Sequence, residues 1–290
     1  MSFLNPVNEA VQRFKSTDAG APQINYAART AGDIKTVLKW GLVKAGWSVV
    51  NEVDHVCEFV SPSVAMIDYE LKVDDSSASS TIWTYKKQNT AYALKMNNLR
   101  KNMQFVDASN AKTGWQLLVT SQGFYFVETF YIAKIANTLS RVTYFGRLKQ
   151  TTGVDDNIAF FCVGWGQFDS ITPYFFDPKQ ARFFTNFIIE GKTQTVQYFD
   201  AINITAISND GSMQPNSIDV ISPIYISTTA SQLAQQPGMY IQNTPATRYG
   251  IHDITVGGKK MIRVAICSES LDYIDSRTRY ILLSTDFAEY

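Results

Sequence analysis

Hydrophobic residues recur at helical spacing in one clear stretch of the chain. Ile34, Val37, Leu38, Gly41, Leu42 and Ala45 share one face, and Lys35, Lys39 and Lys44 stay off it. Thr30, with Asp33 three residues on, predicts a capped N-terminus, and Gly46 predicts a left-handed stop just before Trp47. A helix with such a stripe needs an apolar sheet to cover. The next segments supply one. Residues 47–50 and 56–60 are strand-like, and Ile67, Tyr69, Leu71 and Val73 alternate with Asp68, Glu70 and Lys72.

Period-two patterning dominates the rest of the chain. The Ser-rich run from Asp74 to Ser80 predicts a loop, after which 82–85 resumes as a strand. Residues 114–120 and 124–132 predict a hairpin with Gly123 in its bend. Further strands are expected at 141–148, 157–165, 182–190, 195–199, 202–207, 220–226, 239–242 and 279–284, and at 259–267 after a Gly257-Gly258 turn. Three segments read otherwise: Asn8 to Lys15 as a short helical piece with Val11 and Phe14 on one face, 86–111 as irregular polar surface, and 227–236 as helix or loop. About twelve strands and one helix predict a mainly β (α+β) fold of packed antiparallel sheets, sandwich-like, with one amphipathic N-terminal helix. The expected division is an extended N-terminal arm over 1–29, a helix-plus-sheet domain over 30–150 and a second β-rich part over 151–290.

Charge narrows the choice of partner. Lys plus Arg and Asp plus Glu both total 26, so no global field draws the chain to nucleic acid or to an anionic membrane, and neither is an expected partner. The local cluster of Lys86, Lys87, Lys95, Arg100 and Lys101 reads as a solvated face. Cys57, Cys162 and Cys267 are scattered through apolar, strand-like sequence, which predicts free thiols in a reducing compartment. The first residues lack a basic region followed by an apolar run, and every apolar stretch is interrupted well short of about 18 residues, so synthesis in the cytoplasm without membrane insertion is expected.

Candidate chemistry is sparse. Neither of the two histidines, His55 and His252, has a second His, Cys or carboxylate at a spacing that builds a metal site; His55-Val-Cys57 comes nearest, and two ligands do not make a site. The acid pairs Asp74-Asp75 and Asp155-Asp156 lie in loop-like sequence and read as turn formers bonding local amides. No Gly-x-Ser-x-Gly elbow and no phosphate-cradling glycine loop occurs. No catalytic, cofactor-binding or metal-ligating residue is therefore assigned, no cofactor is expected, and the expectation is a protein that is not an enzyme. The 18 Phe, 15 Tyr and 5 Trp serve the core first, and any exposed ones would mark a partner surface. The run holding Ser16, Gly20, Ala21 and Pro22 is the candidate assembly arm.

Several stretches carry a resemblance: Ser16 to Pro22 ending in Gly-Ala-Pro, the helix through Leu38 to Val43, Gly46-Trp47, and Tyr69 to Asp75. Trp115 to Val119 leading to Phe124 to Phe126, then Tyr144 to Gly146, come in order, with Met261 to Ile266 and Ile281 to Asp286 near the end. Together they resemble a group of virion structural proteins of tailed bacteriophages. The chain departs from that group at Asp286 to Tyr290, which lacks the group's Gly-Pro-Trp. The resemblance implies a non-enzymatic building block of the particle at the neck, tail or virion surface, made in the host cytoplasm and located in the virion. Its implied partners are other virion proteins and copies of itself in a symmetric homo-oligomer. The alternative is a carbohydrate-binding or glycan-cleaving β-sandwich module acting in host attachment, with Trp83, Tyr85 or Trp165 as stacking platforms and Asp155 or Asp156 as an acid.

Overall fold

The computed structural model describes residues 8–24, 29–78, 80–87, 90–97, 114–132, 137–150, 158–164, 176–177, 182–183, 185–189, 192–196, 199–200, 221–227, 233–245, 250–266 and 279–290. Two short strands, β1 (Asn8–Ala10) and β2 (Gln12–Lys15), precede the helix α1 (Asp33–Lys44). Then come β3 (Ser48–Val53), β4 (Val56–Val60), β5 (Tyr69–Ser77), β6 (Ser80–Lys87) and β7 (Thr90–Asn97). The hairpin of β8 (Trp115–Val119) and β9 (Gly123–Ile132) is followed by β10 (Asn137–Arg147), β11 (Lys149–Gln150) and β12 (Ile158–Gly164). Short strands β13 (Phe176–Asp177), β14 (Arg182–Phe183), β15 (Thr185–Ile189), β16 (Lys192–Val196) and β17 (Phe199–Asp200) come next. The chain closes with β18 (Ile221–Ser227), β19 (Leu233–Pro245), β20 (Ile251–Val256), β21 (Lys259–Ile266), β22 (Arg279–Ser284) and β23 (Phe287–Glu289).

The fold is mainly β; among the described residues three larger antiparallel sheets pack in a sandwich-like manner, beside the two-stranded pairs β1-β23, β13-β14 and β15-β16. The first sheet runs β3-β4-β5-β6-β7, the second β12-β10-β9-β8-β2 and the third β17-β18-β19-β22-β21-β20, with β11 added to β19. Val37, Leu38 and Leu42 of α1 share one core with Phe59, Leu71, Val73 and Trp83 of the first sheet. Leu117, Val119, Phe124, Phe126 and Phe145 of the second sheet complete it. Gly41 lets helix and second sheet meet, since a Cβ there would lie 2.4 Å from the Leu117 side chain. The second sheet is buried on its other face too, through Leu118, Tyr125, Val127, Val142 and Tyr144, and there Tyr125 donates to the Pro237 carbonyl of β19 at 2.6 Å. This explains the continuous apolar runs 117–119 of β8 and 124–127 of β9, which a sheet with a wet face would not need.

The predicted helix is present, and Gly46 takes the left-handed conformation expected of it, with φ 92°. Its start differs: Gly32, not Thr30, is the N-cap, and the Thr30 amide and hydroxyl both donate to the Asp33 carboxylate. Four other expectations are corrected. Asn8 to Lys15 is not helical but forms β1 and β2, because it finds partner strands in β23 and β8. The supposed loop at Asp74 to Ser80 is strand up to Ser77. Residues 90–97, expected to be irregular, form β7 on β6, and 233–236 begin β19. The segment expected as a strand at 202–207 lies outside the described residues.

Candidate assembly site

The turn between β8 and β9 is where the layers are tied together. Thr120, Ser121, Gln122 and Gly123 form it, closed by the Thr120 amide on the Gly123 carbonyl at 2.9 Å. From the side of the helix, the Trp47 indole donates to the Thr120 carbonyl at 3.0 Å, and the Ser61 hydroxyl donates to the Ser121 carbonyl. From β10, the Arg147 amide donates to the Gln122 carbonyl at 3.0 Å and its guanidinium to the Gln122 side chain at 2.8 Å. From the end of the chain, the Tyr290 hydroxyl meets the Thr120 hydroxyl at 2.6 Å.

Glu9 of β1 supplies the fourth tie. Its carboxylate accepts the Ser121 amide at 2.9 Å, the Ser121 hydroxyl at 2.7 Å and the Gln122 side-chain amide at 2.6 Å. A carboxylate held by three donors at a turn fixes the register of the strand that carries it. Three tyrosines gather behind this turn. Burial pushes the hydroxyls of Tyr125, Tyr144 and Tyr290 above the usual phenol range, so they stay neutral and act as hydrogen-bond groups between layers. Tyr125 also accepts from Gln236 at 2.7 Å, and Tyr144 donates to the Arg147 carbonyl.

The structure places the candidate arm on the chain's own body, at the Trp115 end of β8, away from the turn. The Ser16 amide donates to the Trp115 carbonyl at 3.0 Å, and its carbonyl accepts from Gln23. Gly20 takes φ 72° in a turn, Ala21 packs against the core, and the Pro22 carbonyl accepts the Trp115 indole at 2.9 Å. Ahead of them Arg13 pairs with Asp253 at 2.6 Å and donates to Gln116 at 2.9 Å, and the Val11 amide donates to the Asp286 carbonyl. Phe14 meets Trp40 edge-on with centroids 5.7 Å apart, and Trp40 meets Trp115 at 5.8 Å. Segment 8–24 is thus bonded to both the second and the third sheet.

Just beyond it the chain is pinned by a buried polar node that no sequence pattern showed. Asp75 is fully buried in β5, with its carboxylate accepting Arg29 at 2.9 Å, the Thr81 hydroxyl at 3.0 Å and the Ile34 and Lys35 amides at 2.7 and 3.3 Å. It is the missing side-chain cap of α1, supplied from another strand. Burial raises the Asp75 carboxyl above its ordinary value, although Arg29, the two amides and Thr81 all pull the other way. Asp75 is therefore no turn former, a correction forced by its partners 41 and 46 residues away. Asp74 does bond locally, accepting the Ser76 amide at 3.0 Å. A second buried pair joins Arg141 to Glu128 across β10 and β9, with Nε 2.7 Å from the carboxylate.

The remaining candidates separate. His55 sits in the β3–β4 turn, where its carbonyl accepts the Asp75 amide, while Cys57 is buried on β4 as a free thiol. Burial, the largest influence, lifts the Cys57 thiol to about 11. Among the described residues no three His, Cys, Asp or Glu side chains gather as a metal cluster. Trp83 has no exposed face in the core, so it cannot be a sugar platform. Tyr85 pairs opposite Leu71 in the ladder; Trp165, Asp155 and Asp156 lie outside the described residues. Of the basic cluster, Lys86 and Lys87 are on β6 and Lys95 on β7, with Lys86 3.3 Å from Glu70, and Arg100 and Lys101 lie outside the described residues. No protein-family model matches the chain, and no curated protein is significantly similar to it.

Proposed function

We propose that this protein is a non-enzymatic structural component of a tailed-bacteriophage particle, present in multiple symmetric copies at the neck, tail or virion surface. The observation that carries the reading is the use made of buried charge. Arg29 with Asp75 and Arg141 with Glu128 are each spent on holding one element to another, and Glu9 on seating a strand. The stretches on which the resemblance rests occupy the same framework: Trp47, Tyr69, Trp115 and Phe124 are all core residues. Exposed apolar side chains support a role in subunit contact. Val50 and Val53 lie along β3, an edge strand, and Val64 and Ile67 stand out between β4 and β5 with 82% and 73% of their surface open.

The test is mass spectrometry of purified particles of the phage that encodes the chain. Peptides should be recovered at many copies per particle and persist through density-gradient purification. Their absence from infectious particles would overturn the proposal.

A further inference from the structure

Segment 8–24 contacts the body as a ligand contacts a receptor. It brings both signs of charge to matching seats, Glu9 to the donors of Ser121 and Gln122, and Arg13 to Asp253 and Gln116. Its ladder bonds are edge bonds: β2 is the last strand of the second sheet, and β1 pairs with β23 alone. Of its apolar anchors, Phe14 packs against the edge of the core and Ile24 is buried in it. Arg29 behaves differently. Its guanidinium is buried against Asp75 and Thr81, between the helix start and the first sheet, so residue 29 belongs to the body. The chain from Ile24 to Arg29 can span at most about 18 Å.

We infer that the groove formed by β8, the 120–123 turn, β23 and Asp253 receives segment 8–24 of a second copy of this chain, so that neighbouring subunits of the assembly exchange strands. The inference rests on the proposed assembly role and names its contact. Strand addition supplies affinity through main-chain bonds and register through side-chain seats. Exchange of an identical element costs little, because each copy loses and regains the same contacts. Charge complementarity selects the occupant: a one-residue slip would turn Glu9 and Phe14 to the opposite face. The tether sets the geometry. A donor's Arg29 must lie within about 18 Å of the seat its Ile24 occupies on the neighbour, which requires a close-packed ring or two-fold pair.

Single added cysteines, with the linked positions mapped apart from the three native thiols, test this directly. Lys15 and Gln116 are directly opposite in the β2–β8 ladder, a spacing that a disulfide bridges. Full-length Lys15→Cys and Gln116→Cys chains, differently tagged, are co-expressed, purified and mildly oxidised, and the linked peptides are mapped by mass spectrometry. Exchange predicts a covalent heterodimer joined at 15 and 116, holding about half of the Gln116→Cys chains after random mixing. The double variant in one chain shows that the bond can form. If the co-expressed chains associate but only the double variant links, within itself, exchange is wrong and the assembly reading stands. If sedimentation shows no association at all, both fall.

Discussion

Removing the charge of Asp75 should unfold the protein far more readily than removing that of its partner. Both side chains are buried, with 0% of the Asp75 and 2% of the Arg29 side chain exposed. In Asp75→Asn the guanidinium is left in the interior with no anion, and it cannot shed its proton. Breaking a buried pair from that side costs about 3–5 kcal/mol, to which a weakened cap on the Ile34 and Lys35 amides adds up to about 1 kcal/mol. For a chain of this size that is a fall in Tm of about 5–10 °C. In Arg29→Met the carboxyl keeps its two amides and Thr81, and it can take up a proton. Its folded value is already raised, so its contribution is full below the ordinary carboxylate value and is lost as pH rises through the folded value. Loss of Arg29 raises that value further. The Arg29→Met penalty should therefore be small in mild acid and grow towards neutral pH. The double variant Arg29→Met/Asp75→Asn should be more stable than Asp75→Asn alone, since the stranded cation is gone. Urea melts followed by far-UV circular dichroism between pH 4.5 and 8 measure all four chains. Equal penalties for the two single variants at every pH, or a loss below about 1 kcal/mol in Asp75→Asn, would refute the assignment of Asp75 as the partner of Arg29 and the cap of α1.

Two further outcomes are expected of the core. Gly146→Ala should cost about 1–3 kcal/mol or more, because its Cβ would lie 2.4 Å from the Gly123 Cα and 2.6 Å from the Gln122 carbonyl; unchanged denaturation would show that β10 has room to shift away from the turn. Cys57, with its thiol at about 11 and no exposed surface, should resist iodoacetamide at pH 8 in the folded protein and react once guanidinium is added. Peptide mapping reads this at Cys57 alone, and alkylation at the rate of a free thiol would contradict its burial.

Local pattern made the helix, the β8–β9 hairpin and the β21 and β22 strands legible, because each is announced by periodicity and a turn residue close by. What escaped is non-local. Asp75 sits in Asp-Asp-Ser-Ser, the composition of a turn, and only its distant partners make it a buried strand residue. The alternation of Tyr92, Leu94 and Met96 was available in β7, but Ala, Leu, Lys and Met are also good helix formers, so propensity blurred the period. β1 and β23 are three residues each and exist because they pair with one another. The arm residues Ser16, Gly20, Ala21 and Pro22 were singled out by composition, whereas the residues that seat the segment, Glu9 and Arg13, carry no signal except charge beside a strand-like run.

The pairing of β1 with β23 has a kinetic side. It joins residues 8–10 to residues 287–289, almost the whole chain apart, so it must be among the last contacts formed. The ribosome delivers Glu9 well before its seat at Ser121 and long before the strand beside it. Until β8 emerges β2 has no strand to pair with, and β1 waits longer still, for β23. Molecules made side by side on one message would thus meet with their first strands still unclaimed.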